Sequence, residues 1–187
     1  MLISRQQSDF AAHCAPALHD AAFDDACDRR REVSCDRTRA ALRICRSTIA
    51  RVCAAALDAY PRECCGLLLG VAAESEGLLR VSRVVPLPNR HEAASERRYL
   101  IDAVDVRRVE AGVTAPGEEV VGAYHSHPGA DVDARPSAFD LAHAWPWYAY
   151  LIVSVVEGSA GELRIWRLAD DRARFQELSL ELEEDRA

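Results

Sequence analysis

The sequence predicts an α/β (α+β) fold, a mixed β-sheet flanked by helices, and three observations carry that expectation. Short apolar runs alternate along the chain with segments whose apolar residues recur at helical spacing. One run, YAYLIVSVV (148–156), is almost wholly apolar, as a strand covered on both faces must be. At 187 residues and 49% hydrophobic, the chain can bury one sizeable core and fits a single main domain better than two.

Residues 1–42 mix alanine with dense charge and show no strand alternation, so they are expected to be an N-terminal extension, loosely ordered or helical. His13, Cys14, Cys27 and Cys35 have none of the usual zinc-ligand spacings, and no second zinc site is expected there. The main domain is expected over 43–180. Within Thr48–Ala59, the residues Ile49, Val52, Cys53, Ala56 and Leu57 form a helical stripe that Tyr60-Pro61 ends. CCGLLLGVAA (64–73) has the apolar run of a buried strand, and Glu74–Gly77 turns it into a second strand, LLRVSRVVPL (78–87).

A polar connection, PNRHEAASERRYLI, leads to Asp102-x-x-Asp105, a spacing that caps a second helix ending near Gly112. EVVGAYHSH (119–127) is a strand that delivers His125 at its end, and SAFDLAHAW (137–145) is helical up to Pro146. After the apolar run, Gly158–Gly161 turns into ELRIWRL, and Asp170-Asp171 turns into RFQELSLEL with a register shift near Gln176. The acidic end, 181–187, reads as a solvated tail.

Charge and cysteine usage narrow the function. A net charge of −7 speaks against a nucleic-acid partner, because phosphate binding requires a basic face. All 23 basic residues are arginine, which excludes a Schiff-base lysine and a Walker-type phosphate lysine. Seven cysteines with no C-x-x-C pair fit neither a disulfide scaffold nor a zinc knuckle and read as reduced thiols. With no signal-peptide pattern and no apolar run approaching eighteen residues, a cytoplasmic protein without a membrane span is expected. The oligomeric state stays open.

The chemistry concentrates in HSHPGADVDARPSAFD (125–140). In a strand, His125 and His127 point to the same side, so two imidazoles address one point while Ser126 faces away. A catalytic zinc site needs a third protein ligand, and Asp140, one turn inside the following helix, is the natural candidate. Zinc suits this donor set; iron and manganese also accept such ligands. Ser137-x-x-Asp140 has the form of a capping box as well, which needs no metal. Glu63 stands between a helix end and a buried strand and is the candidate general base, with a solvated turn residue as the alternative.

ECCGLLLG, then GAYHSHP, then RPSAFDLAHAWPWYAYLIVSV resemble the JAMM (MPN/Mov34/PAD-type) zinc metallopeptidase family in its compact bacterial form, from about Leu42 to about Leu180. The resemblance implies a cytidine-deaminase-like JAMM/MPN fold and one Zn2+ per chain, bound by His125, His127 and Asp140. It further implies that Glu63 acts as general base and then acid, and that Ser137 helps to stabilise the oxyanion. The implied substrate is a ubiquitin-like or sulfur-carrier protein, cleaved at a peptide or isopeptide bond at its C-terminal Gly-Gly tail, which a narrow groove would recognise through its main chain.

One departure stands out. Twelve residues separate His127 from Asp140 where the family usually has ten, and the surplus in Gly129–Arg135 is expected to bulge outward. Asp131 and Asp133 are substitute ligands held by no helix, and His143 is expected beside the site or in solvent. Cys64 and Cys65 are expected to be inert. The alternative function is a catalytically silent MPN scaffold that holds protein partners together. A nucleoside deaminase lacks its H-x-E and P-C-x-x-C here, and a thermolysin-like site lacks the second histidine after His91-Glu92.

Overall fold

The computed structural model describes residues 41–73 and 78–185. Residues 1–40 of the expected extension, with their histidines and cysteines, and the turn at 74–77 lie outside the described residues, while the last two residues of that extension, Ala41 and Leu42, belong to the first strand. The elements run β1 (Ala41–Cys45), α1 (Arg46–Ala59), β2 (Cys65–Ala73), β3 (Leu78–Leu87), α2 (Ala103–Ala111), β4 (Glu119–Pro128), α3 (Ala138–His143), β5 (Ala149–Val156), β6 (Ser159–Leu168), β7 (Phe175–Glu177) and β8 (Ser179–Glu183). The strands form one mixed sheet in the order β7-β6-β5-β4-β2-β3-β1-β8. This is the mixed sheet with flanking helices that the alternation of patterns predicts.

Each face of the sheet has its own cover. Helix α1 buries the predicted stripe of Ile49, Val52, Cys53 and Ala56 and packs against β1, β3, β4, β5 and β6. The other face carries Leu67, Leu69, Ala123 and Tyr150, which cluster with Val106 of α2 and, less deeply, Leu141 of α3. Strand β5 lies between these layers and is buried from Ala149 to Val155, in keeping with its apolar sequence.

Strands β7 and β8 stand at opposite ends of the sheet order yet are joined by Leu178 alone. Two consecutive Cα–Cα steps span at most about 7 Å, so the two ends of the sheet meet there. Leu178 N donates to Ile165 O on β6 at 2.9 Å, which fixes the crossing. The expected register shift in RFQELSLEL is thus a change of partner strand, with β7 on β6 and β8 on β1.

The acidic end differs from the expected tail. Residues up to Glu183 continue β8, parallel to β1. Arg43 pairs with Glu181 at 2.8 Å, Arg80 with Glu183 at 2.9 Å and Arg46 with Glu184 at 2.9 Å, so these acidic residues meet arginines across the strands. Such exposed pairs contribute at most about 1 kcal/mol each, and their combined effect is to set the register of an edge strand. The hairpin from β5 to β6 turns at Glu157 (φ 51°) and Gly158 (φ 76°), earlier than the expected 158–161, because two successive positive φ values match the twist of the strands.

Candidate metal centre

Strand β4 runs antiparallel to β2, with Cys65 opposite His125 and Gly66 opposite Tyr124. A Cβ on Gly66 would lie 2.3 Å from the Tyr124 ring and 2.5 Å from Val85 O, so this position in ECCGLLLG has no room for a side chain. Tyr124 and Ser126 point to the α1 face. Ser126 Oγ accepts from Cys64 N at 2.9 Å, and Ser126 N donates to Cys64 O at 3.2 Å, tying the start of β2 to the end of β4. His125 and His127 consequently share the opposite face. Continuing the register by two residues sets Glu63 across from His127, with both side chains on that face.

Helix α3 supplies the carboxylate. Ser137 and Asp140 form a complete capping box, so the helix begins in one defined orientation relative to the strand. His125 Nε2 lies 3.0 Å from His127 Nε2 and 3.5 Å from Asp140 Oδ1, and His127 Nε2 lies 3.6 Å from Asp140 Oδ2. A tetrahedral ion with bonds of about 2.1 Å has edges of about 3.4 Å, close to all three separations. His125, His127 and Asp140 are therefore positioned to bind one metal ion.

The tautomers fit such a donor set. His127 Nδ1 is 3.0 Å from Asp133 O, and since a carbonyl only accepts, Nδ1 carries a proton there and Nε2 is the ring nitrogen that faces the centre. His125 Nδ1 is buried without a partner, and the ring is held instead by stacking on Tyr99 at 4.4 Å. Burial lowers the His125 pKa and so opposes charging of the ring. Burial also opposes charging of His127, but its hydrogen bond to Asp140 and that carboxylate's charge outweigh it and raise the pKa. Asp140 is buried too, yet hydrogen bonds from both histidines and from Ser137 hold its carboxyl well below the usual range.

Glu63 is 5% exposed, and burial pushes its carboxyl from 4.5 up to about 8, with His127 opposing and Asp140 adding to the rise. A solvated turn residue would be exposed, so the turn reading of Glu63 does not hold. Its N–H donates to Ser95 O at 2.7 Å. An apolar cavity beside Asp140 is bounded by Tyr99, Phe139, Trp145 and Tyr148 and borders the metal-ligand cluster.

The longer loop before α3 is exposed at Ala130, Asp131, Asp133 and Arg135, as an outward bulge would be, but it is anchored inward at Ala134. Ala134 is fully buried, because its carbonyl accepts from Trp166 Nε1 at 2.8 Å and its N–H donates to Glu162 Oε2 at 3.3 Å. This anchor on β6 turns the Asp133 carbonyl toward His127, a contact that the sequence reading missed. The Asp133 carboxylate faces away, accepting from Arg135 N at 3.0 Å. His143 is exposed and stacks on Phe139 at 4.1 Å, outside the cluster. Burial pushes the free thiols of Cys64 and Cys65 up to about 11 and about 12, which leaves them unreactive. His91 caps a short helical turn by accepting from Ala94 N and takes no part in the centre.

Residues 46–169 match the model of the family described as prokaryotic homologs of the JAB domain. The desampylase of Haloferax volcanii is 36% identical over 97 residues, a match that spans 50% of this chain and 63% of that protein. A solution structure of a protein from Desulfitobacterium hafniense superposes with a TM-score of 0.65 at 27% identity, covering 77% of this chain and 94% of the other. A second, from Salinibacter ruber, gives 0.58 at 37% identity over 75% of this chain and 91% of that one.

Proposed function

The chain belongs to the family of prokaryotic JAB-domain homologues, and from that premise we propose that it is a zinc-dependent peptidase or isopeptidase. Its substrate is a peptide or isopeptide bond at the C-terminal Gly-Gly tail of a ubiquitin-like or sulfur-carrier protein. The observation that carries this reading is the placement of buried Glu63 across from His127, beside three side chains at tetrahedral spacing. The likeness to a desampylase supports an isopeptidase acting on a ubiquitin-like modifier.

His125, His127 and Asp140 would hold a zinc ion, which would supply a Lewis acid and lower the pKa of a bound water to about 7. Glu63, which is not a ligand, takes a proton from the attacking water and returns it to the leaving amine. Ser137 now donates to Asp140 Oδ2 at 2.7 Å, and oxyanion stabilisation requires that proton to turn to the substrate oxygen. Asp133, through its carbonyl, keeps His127 in the tautomer that faces the centre. The cavity beside Asp140, lined by Tyr99, Phe139, Trp145 and Tyr148, offers an apolar approach to the carboxylate.

Incubating the zinc-loaded chain with Gly-Gly-tailed carriers that bear C-terminal extensions, or a lysine-linked partner, tests the proposal by mass spectrometry. Release after the second glycine is expected; a fully zinc-loaded chain that leaves every such conjugate intact contradicts it.

A further inference from the structure

Glu63 sits just ahead of β2, so its peptide groups lie beyond the strand ladder and need other partners. Its N–H goes to Ser95 O, and its carbonyl accepts from Asn89 Nδ2 at 3.1 Å. Both partners belong to the polar connection between β3 and α2. We propose that Asn89 is a positioning residue that holds Glu63 in place against the metal-ligand cluster, an inference that rests on the reading of Glu63 as general base.

The amide of Asn89 is fully used. Nδ2 also donates to Arg98 O at 2.9 Å, while Oδ1 accepts from His91 N at 2.9 Å and from Leu100 N at 3.1 Å. Two donors and two acceptors are the whole capacity of a primary amide, and all four are spent. One side chain thus closes the connection at both ends and fastens it to Glu63; Arg90 N adds a backbone bond to Leu100 O at 2.9 Å. Between the fastened residues Arg98 and Leu100 lies Tyr99, whose ring stacks on His125. The same amide therefore fixes the backbone of the base and the ring that lies on one ligand of the cluster.

Aspartate cannot replace it. Its carboxylate keeps an acceptor for His91 N and Leu100 N but offers no donor to Glu63 O and Arg98 O, so lone pairs face carbonyls. A shift of about 1 Å in a reacting group costs about 100-fold in rate, which a buried carboxylate with few free rotamers cannot correct.

The test compares Asn89→Asp, Asn89→Ala and Glu63→Gln with the unchanged full chain. It reads zinc content, kcat and KM on a Gly-Gly-tailed ubiquitin-like carrier with a C-terminal extension, and exchange of the Glu63 amide hydrogen. Both Asn89 variants are expected to bind one zinc, hold KM within about twofold and lose about 10- to 100-fold in kcat. Glu63 amide exchange rises about tenfold or more, while Leu67 and Leu68 exchange as before. A purely structural role would lower stability without dividing kcat from KM. Should Asn89→Ala fail to fold, Asn89→Asp, which retains both acceptor bonds, decides the matter. Unchanged kcat or unchanged Glu63 exchange in Asn89→Asp overturns the inference alone; full activity in Glu63→Gln overturns the general-base reading and this inference with it.

Discussion

Ser137 and Asp140 cap one another: Asp140 N donates to Ser137 Oγ at 3.2 Å, and Ser137 N and Oγ donate to Asp140 Oδ2 at 2.6 and 2.7 Å. The carboxylate that faces both histidines is thus held by the residue that begins its helix. The arrangement that caps the helix also places the candidate metal ligand.

Ser137→Ala should consequently show two effects of different size. Loss of the cap costs about 1 kcal/mol, read as a lower urea midpoint. Loss of an oxyanion donor costs about 10²- to 10³-fold in kcat, read in folded, zinc-loaded protein. If kcat in that protein stays within a few-fold of the parent, Ser137 serves only as cap.

Asp140→Asn keeps a side chain of the same shape and a capping acceptor but removes the anionic ligand. Zinc content after gel filtration should fall from one per chain to a small fraction, with the helical circular dichroism unchanged. Retention of one zinc per chain would remove Asp140 from the ligand set.

Trp166 lies far from the centre in sequence, yet its Nε1 anchors Ala134 and so the Asp133 carbonyl against His127. Trp166→Phe should preserve most of the packing while zinc affinity drops by about 10-fold or more, the usual size of an effect on the group behind a ligand histidine. Competition with a chromophoric chelator measures it, and an unchanged affinity would show that the loop needs no such anchor.

Glu63 should also leave a mark on stability in chelator-treated protein. Its folded pKa of about 8 lies above the ordinary 4.5, so the folded state holds the proton more tightly. The stabilisation is fully present below pH 4.5 and is lost as pH rises through 8. The shift corresponds to on the order of 5 kcal/mol across that window. Denaturant titrations at pH 5 and pH 8.5 should differ less in Glu63→Gln than in the parent; equal differences would mean that Glu63 is not desolvated.

Much of this was legible in the chain. The turn after the apolar run marked β3 from Leu78 to Leu87, and the Thr48–Ala59 stripe marked α1, which begins two residues earlier at Arg46. The i, i+2 histidines and the S-x-x-D cap brought the three metal-ligand candidates together because both rules are local. What stayed hidden depends on distant partners. ALRIC becomes β1 only by lying between β3 and β8, and the acidic end becomes β8 only because arginines of β1 and β3 await it. The inward anchor at Ala134 in the 129–135 loop depends on an indole more than thirty positions away. Asn89 carries no local signal, since its role appears only when Glu63 is beside it.

The most direct measurement is zinc content and turnover on the same preparation of Glu63→Gln. The account predicts one zinc per chain, as in the parent, with cleavage of a Gly-Gly-tailed carrier conjugate reduced at least about 10²-fold, the lower end for loss of a positioned general base. Turnover at the parent rate with zinc bound would contradict it.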